Sequence, residues 1–174
     1  EAIKNLKISI NLYPNYPNPY NNLGIAYAET SNFLDAKINY DKAIKLNKNY
    51  TDAYLNRGIS LNKLKKYDEA ISDLKLVLKI EPLNAKAFNS LGNVFKSAKQ
   101  YDKAVENYEK AISIQPNYLE AISNKSSIYL EQKKYEESLI CLNKIYQKDP
   151  SFKGTIENII FNKMHIFEWS DLNK

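Results

Sequence analysis

Apolar residues recur at helical spacing along nearly the whole chain, in segments separated by turn residues. In KAFNSLGNVFKSA, Phe88, Leu91, Val94, Phe95 and Ala98 share one face of a 3.6-residue period. In KQYDKAVENYEKAISIQP, Tyr101, Ala104, Val105, Tyr108, Ala111 and Ile112 do the same. Pro116 has no N–H to donate and ends the second segment. The pattern therefore predicts two amphipathic helices joined by a short turn.

The helix pair repeats. Pro82, Pro116 and Pro150 are evenly spaced, and the same step backwards reaches Lys48 and Pro14. Gly24, Gly58 and Gly92 keep that step. So do Phe33, Tyr67, Tyr101, Tyr135 and Trp169, and so do Ala36, Ala70, Ala104 and Ser138. Ala53, Ala87 and Ala121 form another column, and Tyr20, Tyr54, Phe88, Ile122 and Ile156 another. The small columns mark close helix crossings. One such hairpin cannot bury its apolar stripe alone, so stacked units must bury it between them.

These residues resemble the tetratricopeptide repeat, through Tyr20, Leu23, Gly24, Tyr27, Ala36, Tyr40 and Ala43 in one unit and Phe88, Leu91, Gly92, Phe95, Ala104, Tyr108, Ala111 and Pro116 in another. The resemblance implies an all-α fold, a right-handed superhelix of antiparallel helix pairs. Four repeats are expected at 17–50, 51–84, 85–118 and 119–152. Residues 1–16 read as the second helix of an earlier, truncated repeat, and 153–174 as an altered partial repeat that caps the stack or joins it to a further domain. Arg57 and Lys125 depart from the Leu23/Leu91 column, and Ser126 from the glycine column. Local slack, with the long stems lying along apolar surface, is the expected account.

In the family the first helices line a concave groove. The position before the Leu-Gly pair holds Asn22, Asn56, Ser90, Asn124 and Asn158, and an overall content of 22 Asn in 174 predicts fewer than one Asn there. Asn is also a common choice at this position in such repeats. A carboxamide offers donors and an acceptor on one short arm, so a row of them can grip the N–H and C=O of an extended peptide. Asn21, Asn89 and Asn93 are further groove candidates, together with Asn18, Ile25, Asp52, Ile59, Ser123 and Ser127. The expected partner is an extended peptide or protein segment. A chaperone clamp for acidic C-termini is disfavoured, because Asn21, Leu55, Asn89 and Ser123 stand where its basic residues would begin and Lys86 alone is not a clamp.

Composition narrows the chemistry. The net charge of +5 comes almost wholly from lysine, with Arg57 the single arginine. With abundant Asn, Tyr and Ile this profile reflects AT-rich codons, and the lysines are scattered; no nucleic-acid partner is expected. No apolar run reaches membrane-span length, so no membrane partner is expected. Cys141 stands alone and is read as a small buried hydrophobe, and His165 has no companion ligand. No catalytic residue, metal site or cofactor is expected in these residues. A reducing cytoplasmic or nuclear location fits. The start at Glu1-Ala2-Ile3-Lys4, with no signal-like lead, reads as a cut from a longer protein.

The tail departs from the repeat. Ile160 replaces the glycine, Lys163 replaces an aromatic and Leu172 occupies the small-residue column. Glu168-Trp169-Ser170-Asp171 resembles the segment that closes the repeat array of nucleocytoplasmic O-linked N-acetylglucosamine transferases, and the Asn column resembles the groove of that family. The resemblance implies that Trp169 and Asp171 form a junction to a catalytic region beyond Lys174, and that the chain recruits acceptor proteins for UDP-GlcNAc transfer or for the related O-fucosyl reaction. The alternative is a non-enzymatic scaffold or adaptor, with a co-chaperone behind it. Both ends expose apolar stacking faces, through which a homodimer is expected.

Overall fold

The computed structural model describes the backbone of residues 2–172 and the side chains of residues 2–166. Among these residues there are ten helices and no strand: α1 (Ala2–Leu12), α2 (Pro17–Glu29), α3 (Phe33–Leu46), α4 (Thr51–Lys63), α5 (Tyr67–Ile80), α6 (Ala85–Ser97), α7 (Tyr101–Ile114), α8 (Leu119–Glu131), α9 (Tyr135–Lys148) and α10 (Thr155–Leu172). No described helix is long and apolar enough to cross a membrane.

Local chemistry sets the helix ends. Pro17 opens α2, where a missing N–H costs nothing. The Asn84 carboxamide accepts from the Ala87 N–H at 2.9 Å to cap α6. The first helices of the four repeats end alike. Ser31, Lys65, Lys99 and Lys133 adopt φ of +57 to +60°, and the next N–H returns to a carbonyl five residues back at 2.8–2.9 Å, as from Lys66 to Leu61 and from Gln100 to Phe95. This is the Schellman closure, made here without glycine. α5, α7 and α9 leave the helical conformation at Glu81, Gln115 and Asp149, each followed by a proline that disfavours a helical conformation there.

The helices pair in sequence, α2 with α3, α4 with α5, α6 with α7 and α8 with α9, and each pair packs on the next. Ala36, Ala70, Ala104, Ala53, Ala87 and Ala121 are fully buried at the crossings. α2, α4, α6 and α8 also touch one another in succession, whereas the second helices make no comparable contact. The first helices therefore line the inside of the curve and the second helices its outside, which makes the molecule an all-α superhelix of helix pairs.

Three departures from the repeat pattern prove to be built features. Arg57 is not slack: its Nε and Nη2 donate to the two Asp73 oxygens at 2.7 and 2.6 Å, and Nη1 donates to Asp41 at 2.6 Å. Burial opposes its charge, but the two carboxylates outweigh burial and raise its pKa. Lys125 donates likewise to Glu109 at 2.6 Å. Ser126 shares a buried hydrogen bond with Ser138, 2.8 Å between hydroxyl oxygens, and Asn162 on α10 donates to Ser138 at 3.1 Å.

α10 packs on α9 and starts as the first helix of a fifth unit. It does not turn where the others do. The position equivalent to Ser31, Lys65, Lys99 and Lys133 is Phe167, a bulky residue ill suited to a left-handed backbone, and the helix runs on to Leu172.

Candidate peptide groove

The concave wall presents one position of each first helix in a row. Asn22 is exposed on α2; Asn56 on α4, Asn124 on α8 and Asn158 on α10 are half-buried; Ser90 on α6 is buried. Of the five rungs expected from the sequence, Asn56, Ser90 and Asn124 border two hollows that share Ser90.

Asn21 and Asn89 are held behind the rungs. They are 5% and 3% exposed, between neighbouring repeats. Asn21 Oδ1 accepts from the Asn56 amide at 3.2 Å, and Asn89 Oδ1 accepts from the Asn124 amide at 3.1 Å. Asn89 Nδ2 in turn donates to Glu120 at 3.1 Å. Each sits one step before a rung, where one repeat meets the next, and Asn89 and the equivalent Leu55 also border the larger of the two hollows. Two buried amides thus hold two groove amides. Each held rung spends one N–H and keeps a second N–H and its carbonyl oxygen for a ligand. The Asn93 Oδ1 is likewise occupied, accepting from the Tyr108 hydroxyl at 2.7 Å.

Two hollows lie along this wall. One of about 630 Å³ is bordered by Asp52, Asn56, Ile59, Lys86, Ser90 and Glu120. The other, of about 490 Å³, is bordered by Ile59, Lys63, Ser90, Lys96, Asn124 and Glu131. The Asn62 Oδ1 in the wall of the smaller hollow has no hydrogen-bond partner. Lys96 is engaged by Ser127 at 2.6 Å and Glu131 at 3.3 Å. Among the described residues, Lys63, Lys86 and Asp52 have no ion-pair partner. The surface is amide-rich, lightly charged and of mixed sign, which suits main-chain recognition.

Elsewhere the reactive side chains are occupied structurally. Cys141 is buried, and burial pushes its thiol pKa up, away from the reactive thiolate. Burial also pushes the Tyr40 phenol up to about 12. His165 packs on Phe161 and Tyr135, with ring centroids 4.2 and 4.9 Å away, and its Nδ1 lies 2.9 Å from the Phe161 carbonyl. No group of three or more His, Cys, Asp or Glu among the described residues is placed to hold a metal ion. The side chains of Trp169 and Asp171, expected at the junction, lie outside the described ones.

The paired amides carry a signal that the single-repeat period hides. The pairs Asn21–Asn56 and Asn89–Asn124 lie two repeats apart, and so do the ion pairs Arg57–Asp41 and Lys125–Glu109. Comparing every second repeat would have exposed both.

Tetratricopeptide repeat family profiles match residues 17–50, 51–84, 85–118 and 119–152. No curated protein matches the sequence at a significant level. Among solved structures, a crystal structure of MamA is 26% identical with a TM-score of 0.72, over 85% of this chain and 86% of that one. MamA 41-end from Desulfovibrio magneticus RS-1 is 24% identical with a TM-score of 0.74, over 87% and 86%. YrrB, described as a TPR protein with an unusual peptide-binding site, is 21% identical with a TM-score of 0.66, over 92% and 82%. The last two speak for the fold alone.

Proposed function

The chain belongs to the tetratricopeptide repeat family, and from that premise we propose that it is a protein-binding scaffold that holds an extended segment of a partner in its concave groove. The observation that carries this reading is the amide-lined wall of α4, α6 and α8 with two hollows along it. An extended strand has unpaired N–H and C=O groups at each residue, and short carboxamides satisfy both without selecting a side chain. A helical ligand has already satisfied its own main chain and gains nothing from such a wall.

The narrower reading, a recruiting arm of an O-linked N-acetylglucosamine transferase, draws on the Asn column and on Glu168-Trp169-Ser170-Asp171. The repeat profiles and the similarity to MamA support a repeat scaffold and nothing beyond it, so the scaffold is preferred. The test is selection of peptides from a displayed random library against the chain, followed by titration of the selected peptide with Asn56→Ala/Asn124→Ala. We expect binding in the micromolar range that falls about tenfold or more in the folded double variant. Unchanged affinity removes the groove from the reading. Labelling of cell proteins from UDP-GlcNAc by a longer parent chain would reinstate the transferase.

A further inference from the structure

We infer that the groove grips its ligand at every second repeat, through two equivalent stations at Asn56 and Asn124, and that Asn21 and Asn89 are the positioning residues of those stations. The inference rests on the groove reading above and specifies how that groove recognises a strand: as an extended segment that must offer a free main-chain N–H at two separated places and tolerates any residue between them.

The rungs look alike in sequence but differ in what stands behind them. Behind Asn56 is Asn21 and behind Asn124 is Asn89, each buried and each accepting the rung's amide N–H. Behind Ser90, the equivalent residue is Leu55, which can accept nothing; behind Asn158 it is Ser123, and no hydrogen bond joins that pair among the described residues. A held amide presents its remaining donor and acceptor in one fixed direction. An unheld one must first give up rotamer freedom to bind. Ser90 offers a buried hydroxyl and no amide.

The alternation is not confined to the rungs. Asn39 and Asn107, at equivalent positions two repeats apart, both donate to a main-chain carbonyl of their own helix at 2.8 Å. Arg57 with Asp41 and Lys125 with Glu109 bind each second and fourth repeat to the one before it. Tyr40 over Gly24 and Tyr108 over Gly92 close the first and third repeats alike. The unit of construction on this part of the chain is a pair of repeats, and a pair of repeats carries one anchored groove amide.

A held rung matches one residue of an extended strand. Its carbonyl oxygen accepts the strand's N–H and its free N–H donates to the strand's C=O. Removing the strand's N–H at that residue removes half of the grip and adds a clash. Between the stations, the hollow around Ile59 and Ser90 receives side chains without main-chain pairing.

The experiment is a backbone N-methyl scan of the peptide selected against the full chain, titrated against the chain and its variants. The expected result is about a tenfold loss at two positions and little change between them. The loss at one position should vanish in the Asn56→Ala background and the loss at the other in Asn124→Ala. Asn89→Leu installs the residue that the second repeat already carries as Leu55, so the fold should be kept while the second station's coupling is lost. Even losses along the peptide, or coupling to Ser90→Ala as strong as to the two Asn variants, overturn the stride while the groove reading stands. Selected peptides whose binding ignores all three rungs overturn the groove reading and the stride with it.

Discussion

The first and third repeats and the second and fourth solve one packing problem in two ways. In the former, a glycine faces a tyrosine ring: a Cβ added at Gly24 would lie 2.5 Å from Tyr40 Cε1, and one at Gly92 2.4 Å from Tyr108 Cε1. In the second, Gly58 faces Leu74, where a Cβ would lie 3.0 Å from Cγ, and in the fourth a serine already occupies the place. The former put Leu23 and Leu91 beside the crossing; the latter put Arg57 and Lys125 there and pair them with acids. The backbone crossing stays the same from repeat to repeat, while the side chains that fill it can alternate as long as neighbours alternate with them.

The sharpest way to break this comparison is Gly92→Ala against Gly58→Ala. The methyl at Gly92 meets a fully buried, planar ring that has no room to move. We expect a loss of about 2–3 kcal/mol in urea unfolding, net of the helix propensity gained. At Gly58 the neighbour is a branched aliphatic chain, and the variant should stay within about 1 kcal/mol of the parent, because the gain from alanine offsets the crowding. Equal losses would mean that ring and aliphatic chain yield alike.

Arg57→Leu comes next. It imports the residue of the first and third repeats but strands Asp73, whose side chain is 9% exposed. A loss of about 2 kcal/mol is expected, and Asp73→Asn in the same chain, which copies Asn39 and Asn107, should recover most of it. Lys125→Leu strands only Glu109, 55% exposed, and should change stability by about 0.5 kcal/mol or less. Asn162→Ile is expected to act in the opposite direction. The side chain is fully buried, its Oδ1 has no partner, and Ile128 fills the same column one repeat earlier. Removing the orphaned acceptor outweighs the hydrogen bond to Ser138 lost with it, because Ser138 keeps Ser126 as a partner, and should stabilise by about 1 kcal/mol or less and slow hydrogen exchange in α10. At the turns, Lys99→Gly relieves a left-handed lysine and should add roughly 0.5–1 kcal/mol.

Much of this was legible in the chain. Columns of Gly, Ala, aromatic and Pro residues at one constant step predict the helix pairs and their close crossings, because each depends on local spacing that is the same in each unit. The paired carboxamides were not legible as pairs. Asn21 and Asn89 read as groove residues like the rungs, and only the stacking of one repeat on the next sets each against a rung amide. Arg57 and Lys125 looked like flaws in a leucine column, since their partners Asp41 and Glu109 lie well back along the chain on a different helix. The fifth unit was half legible. Its first-helix columns are kept, and its missing turn follows from Phe167 at a left-handed position, but the polar contact among Ser126, Ser138 and Asn162 joins three helices that no local pattern connects.

The sequence by itself determined that the protein is a stack of helix pairs. Helix periodicity, capping and small-residue crossings act over distances of a few residues, so they can be read along the chain. Only the tertiary structure decided which of the similar rungs are held and which are free. That depends on what one repeat presents to the next across the stack, where residues a full repeat apart meet and one Leu in place of one Asn removes the anchor.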